Sequence, residues 1–317
     1  MSANSTFRFL ACSMIVLSVA GAAQAQDAPT VEVHGFAESD VSVPITGYAP
    51  EADAVTVGLT EAEVDIIASP TETMIIRTDM NWFPSLPTAR FDDLIEQAYF
   101  DYSFGPNGGG FIAAGKINAP IGAELIDSID RFQISQGQIF AITDPFNLTG
   151  VFGGYRANGI TAIAWISNNW DLPTTPETAT AGGRFDYAFD AGHVGVATSY
   201  GPIVADEPYL LLDVDTGLTF GNLNLLGEVN FGTSESIDSI GFSATANYGF
   251  TDVFSGTIRA DYLSRETPDI VIDTATVTLA GLLDVTENLR AAAEVRAWFP
   301  SESDTQMLGQ LQLIGHF

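Results

Sequence analysis

The feature that most constrains this chain is a two-residue alternation of apolar and polar side chains. It recurs in segments of roughly ten residues from about residue 30 to the last residue, Phe317. Successive side chains of a strand point to opposite faces, so each such segment has one greasy face and one wet face. In the final segment Met307, Gly309, Leu311, Leu313, Gly315 and Phe317 oppose Gln306, Gln310, Gln312 and His316. Leu223, Leu225, Val229 and Phe231 likewise oppose Asn222, Asn224, Glu228 and Asn230, and Ile240, Phe242, Ala244, Ala246, Tyr248 and Phe250 oppose Ser239, Ser243, Thr245 and Asn247. Further on, Phe254, Ile258, Ala260 and Tyr262 oppose Ser255, Thr257, Arg259 and Asp261, and Leu289, Ala291, Ala293, Val295 and Phe299 oppose Arg290, Glu294 and Arg296. Alternation alone fits a soluble sandwich with its apolar face inward as well as a membrane barrel with its apolar face outward.

The ends of the chain separate the two. Residues 1–25 combine MSANSTFRF, carrying Arg8 and no acid, with the apolar run LACSMIVLSVAGAA and the small-x-small pattern Ala23-Gln24-Ala25. This predicts a secretory signal cleaved before Gln26, because the run is shorter than the roughly 18–20 apolar residues a spanning helix needs. Cys12, the one cysteine, falls inside it, so residues 26–317 have no thiol for a disulfide, a metal or a nucleophile. No later segment has the length and apolarity of a spanning helix, so a membrane protein made of this chain has to be a closed all-β barrel of antiparallel up-and-down strands. A last strand ending on an aromatic residue of the apolar face resembles the signal by which outer-membrane barrels are recognised. Phe317 is therefore the expected assembly signal for the barrel-assembly machinery, and the bacterial outer membrane the expected location.

Loop lengths carry independent information, since such barrels alternate short periplasmic turns with longer outer loops. Short breaks fall near Ser69-Pro70, Pro106 to Gly108, Ala157-Asn158, Asp190 to Gly192, Gly221, Thr251-Asp252 and Thr286 to Asn288. Longer breaks span Pro44 to Asp53, Pro84 to Asp92, Asn118 to Asn147, Asp171 to Ala179, Pro202 to Glu207, Thr233 to Ser236, Arg265 to Asp269 and Pro300 to Asp304. The intervals predict about 16 strands, with 14 or 18 left open, and an even count returns both termini to the periplasm. Trp82, Phe104, Trp170, Tyr200, Phe250, Tyr262 and Phe299 suit the two interfacial girdles of aromatic residues.

One connection is too long to be a simple loop. Residues 118–147 hold NAPIGAELIDSIDRFQISQGQIFAITDPFN, within which Ile121, Leu125, Ile126 and Ile129 approach helical spacing and suggest a short helical turn. The runs GKINAPIGAELID, SQGQIF, DPF and TGV, over roughly residues 110–152, resemble the hallmark region of the β-barrel porin-2 family. Ala123 departs from it, standing where such sequences often have an aromatic residue. The resemblance implies an outer-membrane barrel of porin type and an activity of that kind.

Composition narrows what such a barrel handles. Asp and Glu number 40 against 11 Lys and Arg, for a net charge of −29, and Lys116 is the one lysine. Nucleic-acid binding needs cationic contacts to phosphate and is disfavoured, whereas cations are suitable clients. The expectation is a porin for passive diffusion of small hydrophilic solutes or ions, cation-preferring, with the insert folded into the lumen as its third outer loop. Glu124, Asp127, Asp130 and Arg131 are the candidate constriction residues. Arg77, Glu228, Arg259, Asp261, Arg290, Glu294 and Arg296 are the candidate lumen wall. Opposed charges there set up a transverse field that orients polar solutes.

Alternatives are salt-bridged ladders with no selectivity role, an insert that plugs the barrel, and a non-conducting structural or adhesive barrel. An enzyme is disfavoured, since His34, His193 and His316 have no neighbouring serine and acid in a triad pattern, and no catalytic residue is assigned. Asp213-Val-Asp215-Thr-Gly217 begins like a calcium loop but lacks its later ligands, and no metal or cofactor is expected. The acidic outer loops around Glu235 and Asp304 are either simply solvated, the commoner case, or hold divalent cations between the protein and lipopolysaccharide. The other expected partners are outer-membrane lipids, with a homotrimer left open.

Overall fold

The computed structural model describes residues 29–47, 55–82, 94–168, 170, 179–204, 207–268, 271–301 and 303–317; the expected signal, residues 1–25, lies outside them. Sixteen strands form one closed antiparallel barrel. They are β1 (Thr30–Thr46), β2 (Thr56–Thr71), β3 (Met74–Trp82), β4 (Ile95–Phe104), β5 (Gly110–Asn118), β6 (Asn147–Ala157), β7 (Ile160–Ser167) and β8 (Thr180–Phe189). The second half comprises β9 (Gly192–Val204), β10 (Glu207–Phe220), β11 (Leu223–Thr233), β12 (Asp238–Gly249), β13 (Phe254–Glu266), β14 (Val271–Thr286), β15 (Leu289–Pro300) and β16 (Gln306–His316). Each strand pairs with its neighbours in sequence, and β1 closes on β16 with Phe36 opposite His316 and Val41 opposite Leu311. The Phe317 N–H continues the seam by donating to the Gly35 carbonyl at 3.1 Å. Closure leaves no open edge, the condition a sheet must meet in lipid.

The direction of the alternation decides between barrel and sandwich. Apolar positions are the exposed ones: Phe242, Ile258 and Leu313 retain 44%, 50% and 54% of their surface. Their polar counterparts Asn230, Asp213 and Thr278 are fully buried, at 0% each. A soluble sandwich would reverse this pattern. No described helix is long and apolar enough to cross a membrane.

Exposed aromatic residues gather at both barrel ends. Phe104, Phe189, Phe220, Phe250 and Phe254 lie at the short-turn end, and Trp82, Tyr200, Phe231, Tyr262 and Phe299 lie toward the long-loop end. Trp170 corrects its expected place in a girdle. It packs inward, edge-on to Tyr209 at 5.7 Å, and its indole N–H donates to Ser199 Oγ at 3.3 Å. Its polar N–H finds a partner inside the barrel, which lipid would not supply.

Among the described residues the turn pattern holds with local adjustments; the longer breaks expected at 44–53, 84–92 and 171–179 lie mostly outside them. Asn158 and Gly159, at φ 54° and 78°, supply the paired positive dihedrals that a two-residue hairpin between β6 and β7 needs. Pro70 does not end β2, which runs on through an irregular register to Thr71. Residues 202–207 are not the longer loop expected. Pro202 pairs opposite Pro208, so two residues without N–H donors face each other and the strands continue to Val204 and from Glu207.

Candidate functional site

Residues 119–146 lie inside the barrel, held by side chains from β10 to β15. Asn118 and Asn147 are the last paired residues of β5 and β6, joined through their side-chain amides at 2.7 Å. The Ala119 N–H then closes the neck of the insert on the Phe146 carbonyl at 2.9 Å. The expected helical turn over Ile121 to Ile129 does not form. A 3₁₀ turn covers Ser128–Asp130, and the single α-turn, α1, lies at Gln138–Ile142. Ile121 and Leu125 are buried as anchors of an extended segment, Ile121 in the apolar cluster made by β5, β6, β7, β9 and β10. Phe111, Ile117, Leu148, Phe152, Trp165 and Leu211 form most of that cluster, so this arc of the lumen is apolar.

The first part of the insert docks on acids. The Gly122 N–H donates to Asp213 Oδ1 at 3.3 Å and the Ala123 N–H to Glu228 Oε2 at 2.9 Å. Gly122 has φ +84°, which favours glycine, and a Cβ there would come within 2.8 Å of Asp144 Oδ2, so that carboxylate would have to shift. Asp144 returns from the far end of the insert, and Asn230 Nδ2 donates to its Oδ1 at 3.0 Å and to Thr143 Oγ1 at 2.6 Å. Burial, then the charge of Asp213, pushes Asp144 up to about 7.

The middle of the insert docks on arginines. Arg259, 1% exposed, donates to the Ser135 carbonyl at 2.6 Å, the Gln136 carbonyl at 3.0 Å and Ser135 Oγ at 3.0 Å. It also reaches Glu124 Oε1 at 3.3 Å and Asp261 Oδ2 at 2.9 Å. Glu124 accepts in addition from the Gly137 N–H at 2.7 Å and Gln133 Nε2 at 3.2 Å. Burial raises the Glu124 carboxyl above its ordinary range, opposed by Arg259 and Arg131. Arg296 donates to the Gln136 carbonyl at 2.8 Å, Arg290 to the Ile129 carbonyl at 2.5 Å and Arg265 to the Ile142 carbonyl at 3.1 Å. Glu294 Oε2 takes the N–H groups of Ile134 and Ser135 at 2.8 and 3.1 Å.

The predicted wall residues thus divide. Arg259, Arg290 and Arg296 meet the insert directly, four of their contacts falling on backbone carbonyls, instead of facing it across a gap. Glu228, Asp261 and Glu294 join the same network. Arg77 stands apart on β3, bound to Asp79 at 2.8 Å and 4.0 Å from Asp65. Its charge and that of Arg290 act on Asp130, whose carboxyl burial raises, while Asp127 is raised by burial and by Glu96. Arg131 is buried, its charge felt by Asp40 of β1 and Glu61 of β2.

Sequence reasoning missed two parts of the lumen. One is the ladder of Arg184 with Asp186 and Asp215, in which Arg184 holds Asp215 through two nitrogens at 2.6 and 2.9 Å. His193 joins it at 3.3 Å from Asp215, so this histidine does have an acidic neighbour, and Asp213 and Asp215 are lumen-facing strand residues and not the opening of a calcium loop. The other is an acidic arc of Glu61, Glu63, Asp65, Asp79 and Glu96 on β2 to β4. Its signal was present, because Glu61, Glu63 and Asp65 share one face at two-residue spacing.

Comparison with known proteins places this architecture. The family described as Putative beta-barrel porin-2, OmpL-like, matches residues 73–299. No curated protein sequence matches the chain. Among solved structures, in-vitro folded OmpT of Vibrio cholerae in its trimer form superposes with a TM-score of 0.67 at 13% identity, covering 92% of this chain and 100% of that one. The anion-selective porin from Comamonas acidovorans gives 0.65 at 11% identity, covering 91% and 100%. The Salmonella typhi OmpF complex with daunomycin gives 0.67 at 12% identity, covering 90% and 97%. At such identities the likeness establishes the fold.

Proposed function

This chain belongs to the β-barrel porin-2 family, and from that premise we propose that it is an outer-membrane porin for passive diffusion of small hydrophilic solutes or ions, preferring cations. The observation that carries the reading is the insert seated inside the barrel, with Glu124, Asp127, Asp130 and Arg131 held among wall charges from β2 to β15. On this reading the segment of 28 residues folded inward, 119–146, is the constriction that narrows the lumen. Cation preference rests on charge and not on fold, since an anion-selective porin shares the architecture. Here 40 acids stand against 11 bases, and an excess of one sign of charge raises the local concentration of the opposite ion.

The same reading includes export by a signal cleaved after residue 25, insertion through the assembly machinery with Phe317 as its recognition residue, and contact with outer-membrane lipids and lipopolysaccharide. It includes a homotrimer as the assembly, the form described for the in-vitro folded OmpT structure.

The test is the single-channel current and reversal potential of the folded mature protein in a planar bilayer under a salt gradient. A reversal potential of cation-preferring sign is expected, and it should move toward zero when Glu124, Asp127 and Asp130 are together replaced by Gln, Asn and Asn. Absence of current would favour a structural barrel, and a reversal potential of anion-preferring sign would overturn the selectivity.

A further inference from the structure

The arginine contacts hold the insert on the side of β13 to β15, yet its opposite side, around Asp127, faces β2 to β4, where acids gather. Oxygen atoms of Glu63 on β2, Glu96 on β4 and Asp127 on the insert all lie within 4.8 Å of one another. A second triad of Glu63, Asp65 and Asp79 is as tight, but Arg77 supplies its cation, at 2.8 Å from Asp79. No arginine or lysine forms an ion pair with Glu63, Glu96 or Asp127 among the described residues.

What distinguishes this group from a solvated acidic patch is its burial and its unmet polar atoms. Glu63 and Asn81 are each 2% exposed. Glu63 Oε1, Asp127 Oδ1 and Asn81 Oδ1 are buried with no hydrogen-bond donor. The Asn81 amide lies among the carboxylates, its Nδ2 at 2.5 Å from Glu61, 3.0 Å from Glu63 and 3.1 Å from Glu96. An NH₂ group carries two protons and cannot serve three acceptors. A half-turn of that carboxamide places Oδ1 where Nδ2 stands, which is stabilising only with a cation at the centre. Buried polar groups in proteins are satisfied, so the orphaned oxygens that Glu63, Asp127 and Asn81 bring to this cluster need a partner.

We propose that Glu63, Glu96 and Asp127, with Asn81 Oδ1 as a fourth oxygen, bind a divalent cation of the hard, oxygen-seeking kind, Ca²⁺ above all. The donor set is all oxygen, with no imidazole or thiolate, which suits Ca²⁺ and disfavours zinc or copper. Ca²⁺ also tolerates the irregular geometry of ligands drawn from three strands and a loop better than Mg²⁺ does. The ion fastens the insert to β2 and β4, on the side where no arginine tether reaches it among the described residues. This site stands whether or not the barrel conducts.

The experiment is calorimetric titration of CaCl₂ into the folded, EDTA-stripped full barrel, compared with Glu63→Gln and Asp127→Asn. Asp127 lies outside the strands, so its variant preserves barrel assembly, checked by heat-modifiable gel migration. One equivalent of Ca²⁺ per chain is expected for the wild type. Binding should weaken at least tenfold in both variants and persist in Asp304→Asn, on an outer loop. No saturable binding by the wild type, wild-type affinity in Asp127→Asn, or loss in Asp304→Asn alone would each overturn the assignment.

Discussion

Replacement of Arg259 by methionine tests whether the insert is held as the geometry indicates. The guanidinium is 1% exposed and ties together two carbonyls, Ser135 Oγ and the carboxylates of Glu124 and Asp261. Removing one partner of a buried charge pair costs about 3–5 kcal/mol, because the remaining charge stays buried. Several donors survive the substitution: Gln133 and the Gly137 N–H still serve Glu124, Arg296 still serves Gln136, and Ser243 and Thr276 still serve Asp261. The loss of seating therefore falls at the lower end, about 3 kcal/mol, which is roughly a hundredfold rise in the released fraction.

Arg131 provides the assay, being the one trypsin site in residues 119–146 and 9% exposed when the insert is seated. Where reclosing outpaces cleavage, the rate of cutting tracks the released fraction. Trypsin should cut Arg259→Met after Arg131 roughly a hundredfold faster than wild type, with the product identified by fragment mass. Adding Glu124→Gln removes a buried carboxylate left without its cation and should slow the cut again by about tenfold. A wild-type cutting rate in the single variant, or a double variant cut as fast as the single, would refute the tether.

Gly122→Ala forces a side chain into φ +84° and within 2.8 Å of Asp144 Oδ2, so seating should weaken by about 1–2 kcal/mol, seen as faster amide exchange across residues 119–127. Exchange there should also respond to pH. The Asp144 carboxyl is held up at about 7 in the seated insert and titrates near 3.9 once released. The seated form binds the extra proton between those values, so its stabilisation is complete below about pH 4 and is lost as pH rises through about 7. Intrinsic-rate-corrected exchange at pH 8 should exceed that at pH 5, and Asp144→Asn should flatten the difference; equal exchange in the wild type would count against the acid latch.

Much of the barrel was legible in the chain because strand geometry repeats every two residues and a membrane barrel has to alternate. That logic predicted a barrel of about sixteen strands, its apolar outer face and the inserted loop, since each depends on local periodicity and on segment length. It failed at Trp170, and it did not reach β5 to β7, where Phe111, Phe152 and Trp165 point inward. An apolar residue reads as lipid-facing in any pattern, and only the packed insert shows that part of the lumen is dry.

What the sequence by itself determined was the closed sheet, its greasy exterior, its polar lumen and an excess of acid. Which charges meet is a matter of tertiary structure alone. Glu124 and Arg259 are 135 residues apart, and Ala123 and Glu228 are 105 apart. No periodicity relates such pairs. The barrel's curvature and the path of the insert bring them together, turning residues expected to face each other across a lumen into the contacts that hold the insert within it.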